Sequence, residues 1–484
     1  MKQFRLLAVL VALVGLIGVW AISSSDTPKD KNKDTQTSDQ KQNDNDKDAD
    51  TDSQTAVEGD TTTGSTSSTS TSNGTTNGQN NFVVRSASAN TTPPVTPPTP
   101  VPQPPVTYPN LVENPSAEAE AGAPSGWLQG GWGTNDRTFS YDQPGRSGGR
   151  SLSVSITSHT DGDAKWYFAP VALESGKLYR YSDWYKSDVD TQLLAVVEMA
   201  DGTIAYYQLG TAFASSDWKQ ATGSFMMPAG AVSATVFHTL AKVGTLHIDD
   251  VSLTEYHPAP LQRALVSLTF DDTLASVYNN ALPLLNQYGY SSTQYILTGT
   301  IDQPDSMTAD MIQAFKDQGH EIAAHTVTHT DLTTLDEASV DAELGGAQAD
   351  LQTEFGTDAA TSFASPYGAY NEAVLAQIKA YYASHRSVDT GLNTLDDFDP
   401  YNIKVQNVLA TTTPEEVQAW VDQAVATNTW LVLVYHGVED SVDPAVNPYA
   451  TTPIDLEAHL NAIEASGVSV VTVGEAVAEI TAQQ

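Results

Sequence analysis

Apolar and polar positions divide the 484 residues into stretches of four kinds. The first is a continuous apolar run, Leu6 to Ile22, preceded by Lys2 and Arg5 and followed by Ser23, Ser24, Ser25 and Asp26. That order of charge, apolar stretch and small polar residues predicts an export signal. The run sits at the lower limit for crossing a bilayer, and Ala21-Ile22-Ser23 offers a small-x-small cleavage pattern, so residues 1–23 read as a signal peptide or a membrane anchor. Residues 24–107 then lack nearly all aromatic and branched apolar side chains. Lys and Asp come first, then Ser, Thr, Gly and Asn, then prolines from Pro93 to Pro105, which predicts a disordered Ser/Thr/Pro-rich linker that stiffens toward its end.

From 108 to 257 the rhythm is short alternation, as in Ser151 to Ile156 and Thr245 to Asp249, broken by Gly, Pro, Asn and Asp. Alternation with period two and frequent turn residues predicts an antiparallel β-sandwich.

From 262 to 484 strands and helices alternate. Ala264 to Phe270, Glu321 to Ala324, Trp430 to Tyr435 and Val468 to Val473 read as strands. Thr308 is placed to cap a helix that Gly319 ends. Val340, Leu344, Ala347 and Leu351 recur at helical spacing, and Thr413-Pro-Glu-Glu416 is a capping box with proline at the first helical position. This alternation predicts a parallel α/β barrel, with chemistry at the carboxyl ends of its strands.

Composition narrows the chemistry. Fifty-nine acidic against 22 basic side chains give a net charge of -37, which would repel a phosphate backbone and argues against nucleic acid as a partner. Cysteine is absent, so disulfides, thiolate metal sites and a cysteine nucleophile are excluded. Any metal must be held by His, Asp or Glu.

Three polar clusters fall at predicted strand ends: Asp271 and Asp272 after Phe270, His325 and His329 after Ala324, and His436 after Tyr435. Two imidazoles and one carboxylate suffice for a divalent ion, zinc first and cobalt or a similar ion as the alternative, with a position left for water. The second carboxylate can accept a proton and the remaining histidine can donate one, which is the equipment for hydrolysing an amide or ester.

With these residues in view, the segment from about Ala264 to Val473 resembles the polysaccharide deacetylases of carbohydrate esterase family 4, the NodB-like domains. Thr269-Phe-Asp-Asp272, His325-Thr-Val-Thr-His329, Phe363-Ala-Ser-Pro-Tyr-Gly368 and Leu431-Val-Leu-Val-Tyr-His436 carry the resemblance. It implies a distorted, incomplete (β/α) barrel, Asp271 as catalytic base, Asp272, His325 and His329 as metal ligands, the Tyr367 N–H as oxyanion donor and His436 as general acid. Two departures stand out. Ala364 occupies the place of an arginine that orients the base in many members, and an Asp-plus-Trp motif is not recognisable between Tyr381 and Asn407. Arg386 and Asp389 are the candidates for the orienting role.

The segment 108–257 is similar to jelly-roll carbohydrate-binding modules, through Asn110-Leu-Val-Glu-Asn-Pro115, the Gly149-Arg-Ser-Leu152 turn and the closing Ile248-Asp-Asp-Val-Ser-Leu253. That resemblance implies a structural calcium on Glu118 and Asp249. The aromatics Trp127, Trp132, Trp166, Tyr167, Trp184, Tyr185, Tyr206 and Tyr207 divide between core and sugar-stacking faces. The combined expectation is an exported, cell-surface or extracellular enzyme that removes N-acetyl groups from a glycan such as peptidoglycan, a chitin-like polymer or an exopolysaccharide. It would touch a membrane only through its first residues. An O-acetyl xylan or glycan esterase using the same site, and a carbohydrate-binding surface protein without activity, are the alternatives.

Overall fold

The computed structural model describes residues 108–119, 124–141 and 144–484. The expected signal or anchor and the linker lie outside the described residues. Among those described, no helix is long and apolar enough to cross a membrane.

Eleven strands come first: β1 (Trp127–Trp132), β2 (Asn135–Ser140), β3 (Leu152–His159), β4 (Asp163–Phe168), β5 (Val171–Ala172), β6 (Leu178–Ser187), β7 (Thr191–Met199), β8 (Ile204–Ala212), β9 (Ser215–Met226), β10 (Ala231–Thr239) and β11 (Gly244–Glu255). They pair antiparallel in a five-stranded sheet, β2-β3-β11-β6-β9, a four-stranded sheet, β5-β10-β7-β8, and the ribbon β1-β4. Alternation along β6 explains the layering: Tyr179, Tyr181, Asp183 and Tyr185 are buried while Arg180, Ser182, Trp184 and Lys186 are less so. Buried residues of both sheets, among them Val154, Tyr181, Leu193, Val236 and Leu253, form one apolar cluster. Trp127, Trp166 and Tyr185 belong to that core, whereas Tyr206 is exposed and the Arg146 guanidinium lies 3.6 Å over the Trp184 ring.

Eight parallel strands follow: β12 (Leu265–Phe270), β13 (Thr293–Ile296), β14 (Glu321–Ala324), β15 (Ser362–Ala364), β16 (Ser384–Thr390), β17 (Ile403–Asn407), β18 (Trp430–Tyr435) and β19 (Ser469–Val470). β12 pairs with β18 along its whole length and with β13 at its carboxyl end, which closes a ring of seven strands. β19 pairs only with Leu265 and Val266, at the amino end of β12. The barrel is thus one full strand short of eight, as an incomplete (β/α) barrel requires.

Both faces of β12 and β18 are buried, which is why those segments read as unbroken apolar runs. Val266, Leu268, Phe270, Leu431 and Leu433 pack with helix residues such as Leu285, Phe315 and Leu344. The Thr308 cap accepts from Met311 N, Gly319 beyond that helix takes a φ of +86°, and the Thr413–Glu416 capping box forms as its sequence predicts. The expected strand Val468 to Val473 shrinks to two residues. Thr472 and Glu475 form a second capping box there, so Val473 opens the helix Val473–Thr481 instead.

Candidate active site

The chain turns sharply where β12, β14 and β15 end. Asp272, Thr273, Thr326, His329 and Tyr367 all take positive φ, between +58° and +73°. For residues with a Cβ this costs on the order of 1–3 kcal/mol each, and such strain persists where the surroundings over-determine it. Here it brings residues from three strand ends together.

Asp272 Oδ1 lies 3.5 Å from His325 Nε2 and 3.3 Å from His329 Nε2. One ligand atom from each of the three lies within 4.8 Å of the others. His325 is buried, and its Nδ1 donates to Ala364 O at 2.8 Å, so its Nε2 is the nitrogen aimed at Asp272. Asp272 Oδ1 is itself buried and accepts no hydrogen bond among the described residues. Burial alone would raise the pKa of Asp272. The close approach of the His325 ring and the nearby imidazoles of His436 and His329 outweigh it and hold the carboxyl well below the usual range. Burial, reinforced by repulsion from His325, lowers His329 to about 4. For His325, burial is outweighed by Asp272 and Asp271, and its pKa is raised. An anionic oxygen with no partner between two imidazoles, one of them already neutral, fits a divalent cation.

Beside this trio, Asp271 is nearly fully buried, its N–H donates to Tyr435 O at 3.0 Å, and its Oδ2 accepts from Arg386 Nη2 at 2.5 Å. His436 Nε2 is 4.0 Å from the same carboxylate oxygen, beyond hydrogen-bond reach, and its ring lies 5.3 Å from that of Tyr449. Tyr367 projects its ring against His329, 4.5 Å between centroids. The amides that close its turn are those of Gly368 and Ala369, which donate to Ser365 and Pro366. Gly368 has φ +65°, and a Cβ there would meet Val388 at 2.3 Å, so this turn admits only glycine.

The structure therefore gathers Asp271, Asp272, His325, His329, Tyr367, His436 and Arg386. It does not bring Asp389 to Asp271. Asp389 is fully buried and its Oδ1 accepts from Gln208 Nε2 of β8 at 2.9 Å, so of the two orienting candidates only Arg386 contacts Asp271. The calcium pair also resolves differently. Glu118 Oε1 accepts from Gly149 N and Arg150 N, and Asp249 Oδ2 from Arg146 N and Ser147 N. These carboxylates anchor the 146–150 loop, and among the described residues no third carboxylate or imidazole joins them in a metal-ligating group. Residues the sequence did not single out complete the surroundings: Ser365 Oγ meets His385 Nε2 at 2.8 Å, and the Tyr295 ring lies 4.8 Å beneath the Arg386 guanidinium. Only contacts between neighbouring strands reveal them.

Residues 259–383 match the family model described as polysaccharide deacetylase. That segment is similar to polysaccharide deacetylases. Among similar proteins, a probable peptidoglycan-N-acetylglucosamine deacetylase of Arthroderma benhamiae is 27% identical over 213 residues, 40% of this chain and 48% of that protein. A gellan lyase of a Bacillus species is 29% identical over 202 residues, 39% of this chain and 8% of its own. The chain thus spans less than half the length of either relative. Among solved structures, a family 4 acetyl xylan esterase from Clostridium thermocellum, in complex with cobalt, overlaps 44% of this chain and 89% of its own with 20% identity and a TM-score of 0.32. The match to the deacetylase model takes in the Asp271–Asp272 pair, His325, His329 and the Ser365–Gly368 turn.

Proposed function

We propose that the deacetylase domain hydrolyses N-acetyl groups on an extracellular or cell-surface glycan, releasing acetate and leaving an amino sugar. The observation that carries this reading is the joining of a two-imidazole, one-carboxylate cluster to a second, arginine-held carboxylate, with His436 at the same carboxylate oxygen.

Asp272, His325 and His329 would hold the cation, zinc or cobalt by donor type. When bound, such an ion supplies Lewis-acid chemistry, polarising the acetyl carbonyl and making a water more acidic. Asp271 Oδ2, held by Arg386, accepts a proton as the water attacks the carbonyl carbon. The Tyr367 N–H donates to the carbonyl oxygen as its C=O bond becomes a C–O⁻ single bond. His436 gives a proton to the nitrogen as the C–N bond breaks, and the amine departs. Arg386 fixes the direction of Asp271 and neutralises its charge while it waits.

The sandwich would serve as a jelly-roll-type glycan-binding module, the apolar run of residues 1–23 as export signal or anchor, and residues 24–107 as a tether. Incubation of the protein with N-acetylglucosamine oligomers, peptidoglycan fragments and acetylated xylan, with acetate measured, tests the reading. Release from the amide substrates supports it; release from xylan alone would move the assignment to an ester. No release from any would leave only a binding protein.

A further inference from the structure

Arg386 sits on β16, and β16 is held from two sides. Within the barrel, His385 engages Ser365 Oγ and Val388 packs against Gly368, so the strand supports both the base and the Tyr367 turn. From the sandwich, Gln208 Nε2 donates to the fully buried Asp389 at 2.9 Å. Phe213 meets Tyr370 edge-on at 5.7 Å, and Tyr370 in turn meets His385 at 4.8 Å. Further along the chain, Arg180 reaches Asp396 and Asp397 at 3.5 and 3.3 Å while its guanidinium covers Tyr256, and Tyr256 Oη donates to Asp396 at 2.9 Å.

We propose that the sandwich is a positioning part of the catalytic unit, with Gln208 holding β16 through Asp389 so that Arg386 stays aligned on Asp271. The inference rests on the reading of Asp271 as proton acceptor. A module acting only as a glycan tether has no need of a buried polar bond into the strand that carries the arginine. Removing the Gln208 amide leaves a buried carboxylate without that donor, which is costly enough to draw in water or displace the strand. Only Ser387 and Val388 separate Asp389 from Arg386, and the Asp389 N–H is tied to Ser387 Oγ, so a displacement there is passed to Arg386, whose contact with Asp271 is short and directional. Gln208 is a positioning residue, so its loss should appear in turnover and not in substrate affinity.

The test uses the full chain loaded with zinc. Gln208→Ala is expected to lower kcat on N-acetylglucosamine oligomers about tenfold or more with KM within about twofold, the signature of misplaced reacting groups. Gln208→Asn, which moves the amide back without removing it, should fall between Gln208→Ala and the parent, and it carries the test should the alanine variant not fold. In an Arg386→Lys background the effect of Gln208→Ala should shrink to less than about threefold, because residues that act through one another are not additive. Hydrogen exchange across 384–390 should rise in Gln208→Ala, a readout independent of activity. A rise in KM alone would mean that the sandwich works by binding glycan, and unchanged kcat with unchanged exchange would mean that it is a passive neighbour. Either overturns the proposal. If the parent protein turned over no acetylated glycan, the functional reading would fall, and the exchange result alone would decide whether Gln208 holds the strand.

Discussion

Ala364 on β15 and Arg386 on β16 are direct register partners in parallel strands, so their side chains leave the sheet on the same face. Ala364 packs with Tyr295 and Ala323, and the Arg386 guanidinium lies over that same Tyr295 ring as it reaches Asp271. The arginine that the motif resemblance expects at 364 is supplied by the next strand.

This relationship can be tested by moving the residue. Arg386→Ala would leave Asp271 buried without its partner, which costs about 3–5 kcal/mol in comparable buried pairs. We expect a lowered melting temperature and a large loss of kcat. Adding Ala364→Arg to that variant should recover part of both; no recovery in either would show that position 364 cannot address Asp271.

Metal content separates the two aspartates. Asp272→Ala removes a charged ligand and should release most of the bound zinc, as measured by elemental analysis of dialysed protein. Asp271→Asn should keep the metal and lose turnover. Equal metal loss in both variants would contradict the division of roles.

The leaving group tests His436. An activated ester departs without needing a proton, so His436→Ala should retain far more activity on such an ester than on an acetamide. Equal losses on the two substrates would reassign His436 to holding the substrate.

Much of this site was legible in the sequence because its residues follow strands that announce themselves as apolar runs, and a strand end fixes where the next side chains go. That logic located Asp271, Asp272, His325, His329 and His436. It could not choose between Arg386 and Asp389, because the choice depends on lateral register between β15, β16 and the sandwich, which no local pattern encodes. The calcium expectation on Glu118 and Asp249 met a related limit. Both carboxylates converge on one loop, whose amides take one oxygen of each, and a resemblance of motifs does not encode that contact. At Val473 two local signals competed, and the capping box prevailed over the β-branched run.

Acid should weaken the fold before it titrates most carboxylates. Burial holds His320, His385 and His459 near pKa 4. The unfolded chain takes up these protons near pH 6.5 and the folded chain only near 4, so their contribution is complete above about pH 6.5 and is lost as pH falls toward 4. Each can contribute a slope of up to about 1.4 kcal/mol per pH unit in that window. Melting temperatures should fall between pH 6.5 and 5, and His385→Gln should flatten the fall; a melting temperature constant over that range would exclude this origin.

Asp272, His325 and His329 are the proposed metal-dependent deacetylase site. Its most direct test is acetate release from N-acetylglucosamine oligomers by chelator-treated protein, before and after one equivalent of zinc. Almost no release is expected before zinc and full release after it, with no recovery in Asp272→Ala. Full release from metal-free protein would contradict the proposed site.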